Sequence, residues 1–281
     1  MSVFTFSIVL LAAALHAVWN ALVKAAADRA VVLGMISFGH VILGVGMAVM
    51  APLPAMESWG FIVGSTLIHW GYYFFLYHSY RLGDLSQVYP IARGIAPVLV
   101  ALGAQYFAGE VLPLMAWVGI VTVSVGIMML SSKALLSLAA SKVTGVALIT
   151  GAIIAAYSIV DGMGVRVSGN VLGYVAWLFI FEGFVSAFIF YRRGSEMLQL
   201  TPRVWIPGMA GGLISGIAYG LAIYAKSLTY LGLVSTLRET SVIFAAMIGI
   251  LVLGERPWKS RIAAATVVVI GIIVMTLAAN V

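Results

Sequence analysis

The chain has 281 residues, of which 63% are apolar or aromatic and only 9% are Asp, Glu, Lys or Arg. A soluble domain carries about 25% charged residues, so this composition excludes a soluble globular protein and a disordered chain and indicates a protein whose solvent is mostly lipid. The net charge of +6 comes from scattered cations without a basic run, which argues against nucleic-acid binding, and the absence of cysteine excludes disulfides and thiolate metal sites.

Ten apolar stretches approach the roughly 20 residues that a helix needs to cross a membrane. The first stretch lacks the basic leader and small-residue cleavage site of a signal peptide, so we expect it to remain as a spanning helix. Turn and charge signals separate the predicted spans. They are residues 4–24, 31–51, 59–79, 87–108, 113–130, 143–161, 171–191, 204–225, 232–253 and 261–279.

The second half of the chain repeats features of the first half in the same order. The matching pairs are Gly109-Glu110 with Gly254-Glu255, Arg93 with Arg238, Tyr72 and Tyr77 with Tyr219 and Tyr224, and His16 and Asn20 with Tyr157 and Asp161. Because each half has five spans, an odd number, the second half must enter the membrane in the opposite orientation. The prediction is an all-α membrane protein with ten transmembrane helices in two inverted five-helix repeats, residues 1–132 and 143–281, joined by a linker at 133–142.

Three stretches carry a resemblance to a known family. Residues 19–24, 97–110 and 241–255 are similar to the drug/metabolite transporter superfamily, of the kind with two EamA-type repeats. The chain departs from that pattern in two places, since the second span lacks the usual Arg and Val242 stands where the fourth span has Pro97. The resemblance implies a multi-pass transporter, with export as the commoner direction and with both termini in the cytoplasm.

The distribution of cations predicts a different orientation. Loops after odd-numbered spans hold eleven Lys and Arg residues, whereas loops after even-numbered spans hold Arg166 and Lys226 alone. Because short cytoplasmic loops are enriched in Lys and Arg, we expect the odd loops in the cytoplasm and both termini outside it. The expected location is a bacterial-type inner membrane.

Four charged residues fall inside predicted spans: Arg93, Glu182, Arg238 and Glu239. An Arg at the centre of a span costs about 2.5–3.5 kcal/mol even on insertion scales, so such residues normally face protein or water. One interpretation is that the arginines hold an anionic group of a substrate while a carboxylate carries a proton. The other is an Arg–Glu pair that locks two helices. Adjacent helix positions point about 100° apart, so we expect Glu239 to turn away from Arg238, toward a neighbouring helix near Arg93.

Polar residues at helical spacing extend this candidate site. A polar face on an apolar helix turns away from lipid, toward a cavity or a partner helix. Interhelical hydrogen bonding, or for Tyr89 an interfacial aromatic belt, is the alternative, and for His40 we expect a structural hydrogen bond. The candidate substrate-binding residues are Arg93, Arg238, His16, Trp19, Asn20, Tyr89, Tyr157 and Tyr219, and the candidate proton-coupling residues are Glu239, Glu182 and Asp161.

Three further features predict local structure. Pro90 and Pro97 flank Arg93 and free carbonyl groups that need partners, which indicates either a discontinuous fourth helix suited to binding or a static bend. In the eighth span, glycines repeat every four residues and predict a close approach of another helix; they are Gly208, Gly212, Gly216 and Gly220. Glu110 and Glu255 are each expected to stabilise the N-terminus of the helix that follows.

These features favour a secondary transporter of a small polar organic metabolite, zwitterionic or anionic and amino-acid-like, coupled to protons and working by alternating access, with export preferred. An organic anion, including a phosphorylated or phosphonate metabolite, stays open as a substrate, and so do an intramembrane enzyme and a lipid flippase. No phosphate-binding Gly loop, His-Glu-Xaa2-His or Gly-Xaa-Ser-Xaa-Gly motif occurs. We therefore expect no enzymatic activity, cofactor or metal. The expected partners are the substrate, protons and the bilayer, for a monomer or homodimer.

Overall fold

The computed structural model describes residues 1–24, 29–82, 85–131, 141–194, 201–251 and 258–279. Within these ranges the chain forms α-helices and two short 3-10 turns, Met56–Ser58 and Met129–Ser131, and contains no strand. The helices are α1 Val3–Lys24, α2 Arg29–Met50, α3 Trp59–Leu82, α4 Leu85–Phe107, α5 Leu114–Met128, α6 Ser141–Val167, α7 Val171–Arg193, α8 Pro202–Leu228, α9 Leu231–Arg238, α10 Ser241–Leu251 and α11 Trp258–Ala278. The prediction of an all-helical membrane protein is confirmed.

Eight stretches of the described chain are long and apolar enough to cross a membrane. They lie in α1, α2, α4, α6, α7, α8, the combined α9–α10 stretch Leu231–Leu251, and α11. The two other predicted spans correspond to α3 and to α5, and α5 has only 15 residues. A helix therefore occupies each predicted span, while the count of ten membrane crossings stays a prediction.

The interrupted helix is the ninth predicted span and not the fourth. Helix α4 runs unbroken through Pro90 and Pro97, because a helix can pass a proline at the cost of one hydrogen bond and some local adjustment. Between α9 and α10, in contrast, Glu239 N–H donates to the Thr236 carbonyl and Thr240 N–H to the Leu237 carbonyl, each at 3.0 Å. These tighter bonds, which span three residues instead of four, separate the two helices at Glu239-Thr240. The prediction of a discontinuous fourth helix is wrong.

Each main helix pairing has a counterpart formed by the equivalent helices of the other half of the chain. Helix α2 packs on α7 and α5 packs on α11, which are equivalent positions in the two halves. The contact of α1 with α8 has its counterpart in α3 with α6, and the contact of α4 with α6 has its counterpart in α1 with α10. The core of the molecule is thus built mostly from contacts between the halves.

The glycines of α8 bring its backbone against α2. A Cβ on Gly212 would lie 2.9 Å from the Met35 carbonyl oxygen, and a Cβ on Gly39 would lie 2.9 Å from the Gly212 backbone. Gly208 and Gly216 also face α2, whereas Gly220 faces Val175 of α7. Close backbone approach of this kind is what small residues permit in membrane bundles.

The connections after α2, α4, α6 and α8 gather at one end of the bundle. Asn170 Nδ2 donates to the Pro52 carbonyl at 3.0 Å, and Ala55 N–H donates to the Ser168 carbonyl at 2.8 Å. At the same end Arg166 of α6 contacts Glu110, which follows α4. We call this end the even end, after the even-numbered helices that precede these connections.

Candidate functional site

A buried ion pair joins the two halves of the chain. Arg93 of α4 and Glu239 at the α9–α10 junction are 5% and 3% exposed, and Arg93 Nε lies 3.0 Å from Glu239 Oε2. Arg93 Nη2 also donates to Ser241 Oγ at 3.4 Å. This contact agrees with the expectation that Glu239 reaches a neighbouring helix near Arg93. The charge of Arg93 is therefore compensated by the protein itself.

Arg238, the counterpart of Arg93, has a different environment. It is 8% exposed, and its Cζ atom lies 5.6 Å from the centre of the Tyr219 ring. Its Nε has no hydrogen-bond partner, and no described carboxylate lies within ion-pair distance of its guanidinium. A cation–π contact contributes about 0.5–2 kcal/mol, far less than the solvation that a buried cation loses. The positive charge of the Arg238 guanidinium is therefore not balanced by an ion pair with a described carboxylate, and the site can receive an anion.

Tyr219, which contacts this guanidinium, belongs to a cluster of aromatic side chains from three helices. The ring centres of Tyr219 on α8 and Tyr157 on α6 are 6.1 Å apart, and His69 of α3 stacks on Tyr157 at 4.2 Å. Tyr72 adds an edge contact to Tyr157 at 5.9 Å. Together these rings form a wall beside Arg238 that can accept an apolar or cationic group through its faces.

Helix α1 contributes His16, which lies within electrostatic range of both Arg93 and Arg238. Trp19 Nε1 donates to His16 Nδ1 at 3.3 Å, and Asn20 Nδ2 donates to the His16 backbone carbonyl at 2.7 Å. Trp19 and Asn20 therefore bond within their own helix, and in this structure Trp19 orients His16. The side chain of Tyr89, another candidate, lies outside what the structure describes, since the described side chains of α4 begin at Pro90.

Asp161 of α6 holds two tyrosines. Its carboxylate is fully buried and accepts hydrogen bonds from the Tyr174 hydroxyl at 3.1 Å and from the Tyr219 hydroxyl. Because Tyr219 lies beneath Arg238, this carboxylate positions the ring that contacts the guanidinium. In this structure Asp161 acts on the site through Tyr219.

The position of Lys226 differs from the sequence prediction. Its assignment to a loop is wrong, because α8 continues to Leu228 and the Lys226 side chain is fully buried. Its Nζ donates to the Ser158 carbonyl at 3.1 Å and lies within electrostatic range of Asp161. Burial of this ammonium is tolerable because a carboxylate is near. No signal in the sequence separates Lys226 from an ordinary cation at a helix end.

Glu182 of α7 lies in a separate cluster with two histidines. It is 1% exposed, and its Oε2 lies 2.6 Å from His40 Nδ1 on α2. Its Oε1 lies 3.9 Å from His69 Nε2. The expected structural hydrogen bond of His40 is present, and its partner is the Glu182 carboxylate. His69 links this cluster to the wall of aromatic rings.

Glu110 caps a helix in the opposite half. The Leu231 N–H at the start of α9 donates to both carboxylate oxygens at 2.9 Å, and Arg166 Nη2 donates to Glu110 Oε1 at 2.6 Å. The expectation that Glu110 stabilises the following helix, α5, is wrong, because the chain folds the start of α9 onto it. Glu255, for which the same role was expected, lies outside the described residues.

The protein comparisons agree with this architecture. Residues 142–277 match the EamA-like transporter family. The second half of the chain is thus similar to a family of the drug/metabolite transporter superfamily. The family prediction is confirmed, and the EamA-like assignment agrees with a membrane protein of several spans that acts as a transporter.

One solved crystal structure of a protein is similar to this chain over almost its full length. The two chains are 18% identical, the alignment covers 98% of this chain and 96% of the other, and the TM-score is 0.75. At that identity the likeness shows a shared fold alone. No curated protein matches the chain.

Proposed function

We propose that this protein is a secondary transporter that moves a small zwitterionic or anionic, amino-acid-like metabolite by alternating access, coupled to protons and in the direction of export. The observation that carries the proposal is Arg238. It is a buried cation beside an aromatic wall, and no described carboxylate pairs with it.

The unequal pairing of the two arginines favours a substrate with one anionic group. Glu239 already compensates Arg93 at 3.0 Å, so a single guanidinium, that of Arg238, is left to receive an anion. A carboxylate matches the planar guanidinium through two parallel hydrogen bonds. A phosphonate dianion would require a second cation, which Arg93 could supply only by giving up Glu239. A substrate ammonium group would lie against the faces of Tyr157 and Tyr219.

Alternating access is supported by the way the halves pack. Most helix pairings interchange between the halves, as expected for two inverted repeats, residues 1–132 and 143–281, around a central site. Glu110 and Arg166 tie α4, α6 and the start of α9 together at the even end. We call these contacts the latch. Breaking them would let the two halves separate at the even end, so we assign the latch to a state that is closed there.

The three carboxylates that are candidates for proton coupling differ in the groups they contact. Glu239 is paired with Arg93, and Asp161 accepts hydrogen bonds from two tyrosines, so a proton bound to either carboxylate would compete with these contacts. The described ion-pair partners of Glu182 are two histidines, His40 and His69, which can themselves gain or lose a proton. We assign Glu182 as the first candidate for the proton carrier and keep Glu239 and Asp161 as the others.

We further propose that the protein lies in a bacterial-type inner membrane with both termini outside the cytoplasm.

The test is exchange in liposomes. Purified protein is reconstituted and assayed with a panel of radiolabelled L-amino acids, dicarboxylates and alkyl phosphonates, after a thermal-shift screen of the same compounds, since a ligand that binds the folded state stabilises it. We expect an amino acid or amino-acid derivative to exchange, and Arg238→Gln to abolish that exchange. Arg192→Gln, at the exposed end of α7, is the matched control. Exchange that survives Arg238→Gln would overturn the assignment of the substrate site.

A further inference from the structure

We propose that His40, Glu182 and His69 together form the proton-binding site of this protein, and that the transported proton binds between Glu182 Oε1 and His69 Nε2. This inference rests on the proposed transport function and deepens it. It adds His69 and also His40, for which the sequence predicts a structural hydrogen bond, and it separates the proton site from the arginine site.

The three groups come from three helices and are all buried. His40 on α2, His69 on α3 and Glu182 on α7 are 5%, 6% and 1% exposed. The Ser37 hydroxyl donates to the Glu182 backbone carbonyl at 2.8 Å, which holds α2 against α7 at this level. The cluster is thus part of the packed interior and has a defined geometry.

The hydrogen bonds define which nitrogen carries a proton on each histidine. His69 Nδ1 lies 2.9 Å from the Ser65 backbone carbonyl, which can only accept, so Nδ1 must be the donor. In neutral His69 the other nitrogen, Nε2, is then a bare acceptor. His40 Nδ1 lies 2.6 Å from Glu182 Oε2, so an ionised Glu182 requires a proton on that nitrogen as well.

A bare acceptor therefore faces a carboxylate oxygen. His69 Nε2 and Glu182 Oε1 are 3.9 Å apart, too far for a hydrogen bond and close enough for two lone-pair sites to repel. One proton placed between them would convert this repulsion into a charge-assisted hydrogen bond, which would shorten the distance to about 2.7–2.9 Å. The geometry thus leaves a position for one proton between Glu182 Oε1 and His69 Nε2. His40 Nε2 is also buried without a hydrogen-bond partner, but the contact of His40 with Glu182 is made by Nδ1.

The charge balance of the cluster also favours uptake of one proton. With both histidines neutral and Glu182 ionised, the cluster carries one buried negative charge. One added proton makes it neutral, and a buried neutral group avoids the desolvation cost of a net charge. Three tyrosines face the cluster from α3, α6 and α8, and none of them supplies a compensating cation; they are Tyr73, Tyr157 and Tyr219.

His69 connects the proton site to the substrate site. Its ring stacks on Tyr157 at 4.2 Å and meets Tyr219 at 5.7 Å, and Tyr219 lies beneath Arg238. If protonation pulls His69 toward Glu182, the aromatic wall beside Arg238 must shift with it. This is a physical route by which the proton and the substrate anion can influence each other's binding.

The first experiment detects the proton without a substrate. Infrared difference spectra of the protein in lipid, recorded between high and low pH, report the C=O stretch of a newly protonated carboxyl group and the ring modes of histidine. We expect a difference signal in the wild type that Glu182→Gln removes and that Ser37→Ala, which breaks the neighbouring α2–α7 hydrogen bond alone, preserves. His69→Phe keeps the ring stack and should alter the same signal. A signal unchanged in both Glu182→Gln and His69→Phe would overturn the proposal.

The second experiment tests coupling. In liposomes, L-amino acids are assayed for exchange at equal concentrations and for accumulation against a gradient driven by a pH difference. We expect Glu182→Gln to keep exchange within about threefold and to lose accumulation, whereas Ser37→Ala keeps both. His69→Phe should also lose accumulation. Accumulation that persists in Glu182→Gln would overturn the proton site. If wild-type protein exchanges no amino acid, the proposed function fails, while the infrared result still decides the proton site.

Discussion

Arg93 and Glu239 form an ion pair between α4 and the junction of α9 with α10, with Nε and Oε2 3.0 Å apart and both side chains buried. The pair holds the interrupted helix against the opposite half of the chain. It also removes Arg93 from the set of cations available to a substrate, which leaves the symmetry-related Arg238 in that role.

The pair predicts a stability defect that a second substitution relieves. Arg93→Gln leaves the Glu239 carboxylate buried without its cation, and breaking a buried pair from one side costs about 3–5 kcal/mol. The double variant Arg93→Gln/Glu239→Gln should regain most of that loss, because no buried charge is left alone. Denaturant unfolding in detergent micelles measures both. A double variant as unstable as the single one would contradict this account.

Arg238→Gln should affect transport much more than stability, in contrast to Arg93→Gln. Since Arg238 forms no ion pair with a described carboxylate, we expect the unfolding free energy to fall by no more than about 2 kcal/mol, the upper end of the range of a cation–π contact. Exchange of the amino-acid substrate should be lost. Thermal unfolding and liposome exchange on the same preparation separate the two effects. A loss of stability as large as that of Arg93→Gln would show that Arg238 has a structural partner instead of a ligand.

The latch at the even end can be tested through Glu110. Glu110→Gln weakens two charge-assisted bonds, to the Leu231 N–H and to Arg166, and hydrogen bonds to a charged group contribute about 1.5–3 kcal/mol. We expect a loss of that size in unfolding experiments. Arg166→Gln should be non-additive with it in a double-mutant cycle, because the two residues share one contact. Glu57→Gln, an exposed acid after α2, is the control and should have no effect.

The close approach of α8 and α2 makes a matched pair of glycine variants informative. A Cβ at Gly212 would lie 2.9 Å from the Met35 carbonyl oxygen and 3.0 Å from Ile36 Cα, so Gly212→Ala forces the backbones apart at about 1–3 kcal/mol. At the adjacent Gly211 nothing lies within 4 Å, and alanine there should be neutral or stabilising by up to about 1 kcal/mol. Thermal unfolding measures both, and equal effects would contradict the packing described.

The orientation prediction rests on the same cations that the structure has now placed. Arg166 is bound to Glu110 and Lys226 is buried, so neither is a free cation in a connection at the even end. We therefore still expect the odd-numbered connections in the cytoplasm and both termini outside it. Alkaline phosphatase fused after Val281, a residue outside the described ranges, should be active, and a cytoplasm-dependent fluorescent reporter should be dark. The reverse pattern would refute the prediction.

The sequence by itself determined that the chain lies mostly in lipid and where its helices form. Apolar length alone places a helix at each predicted span, within a few residues at most ends, because crossing lipid requires that length and satisfied backbone groups. The scarcity of charge also made Arg93, Arg238, Glu182 and Glu239 conspicuous, since an intramembrane charge is costly wherever it lies.

Only the tertiary structure decided what those residues contact. Whether Arg238 or Arg93 is paired, whether Lys226 is buried, and whether Glu182 meets His40 depend on how helices from distant parts of the chain rotate and pack against each other. The position of the helix interruption was also misjudged, because proline marks where a hydrogen bond is missing and not where tertiary contacts tighten the backbone. Periodicity places a residue on a face of its helix, and the neighbouring helix determines what that face meets.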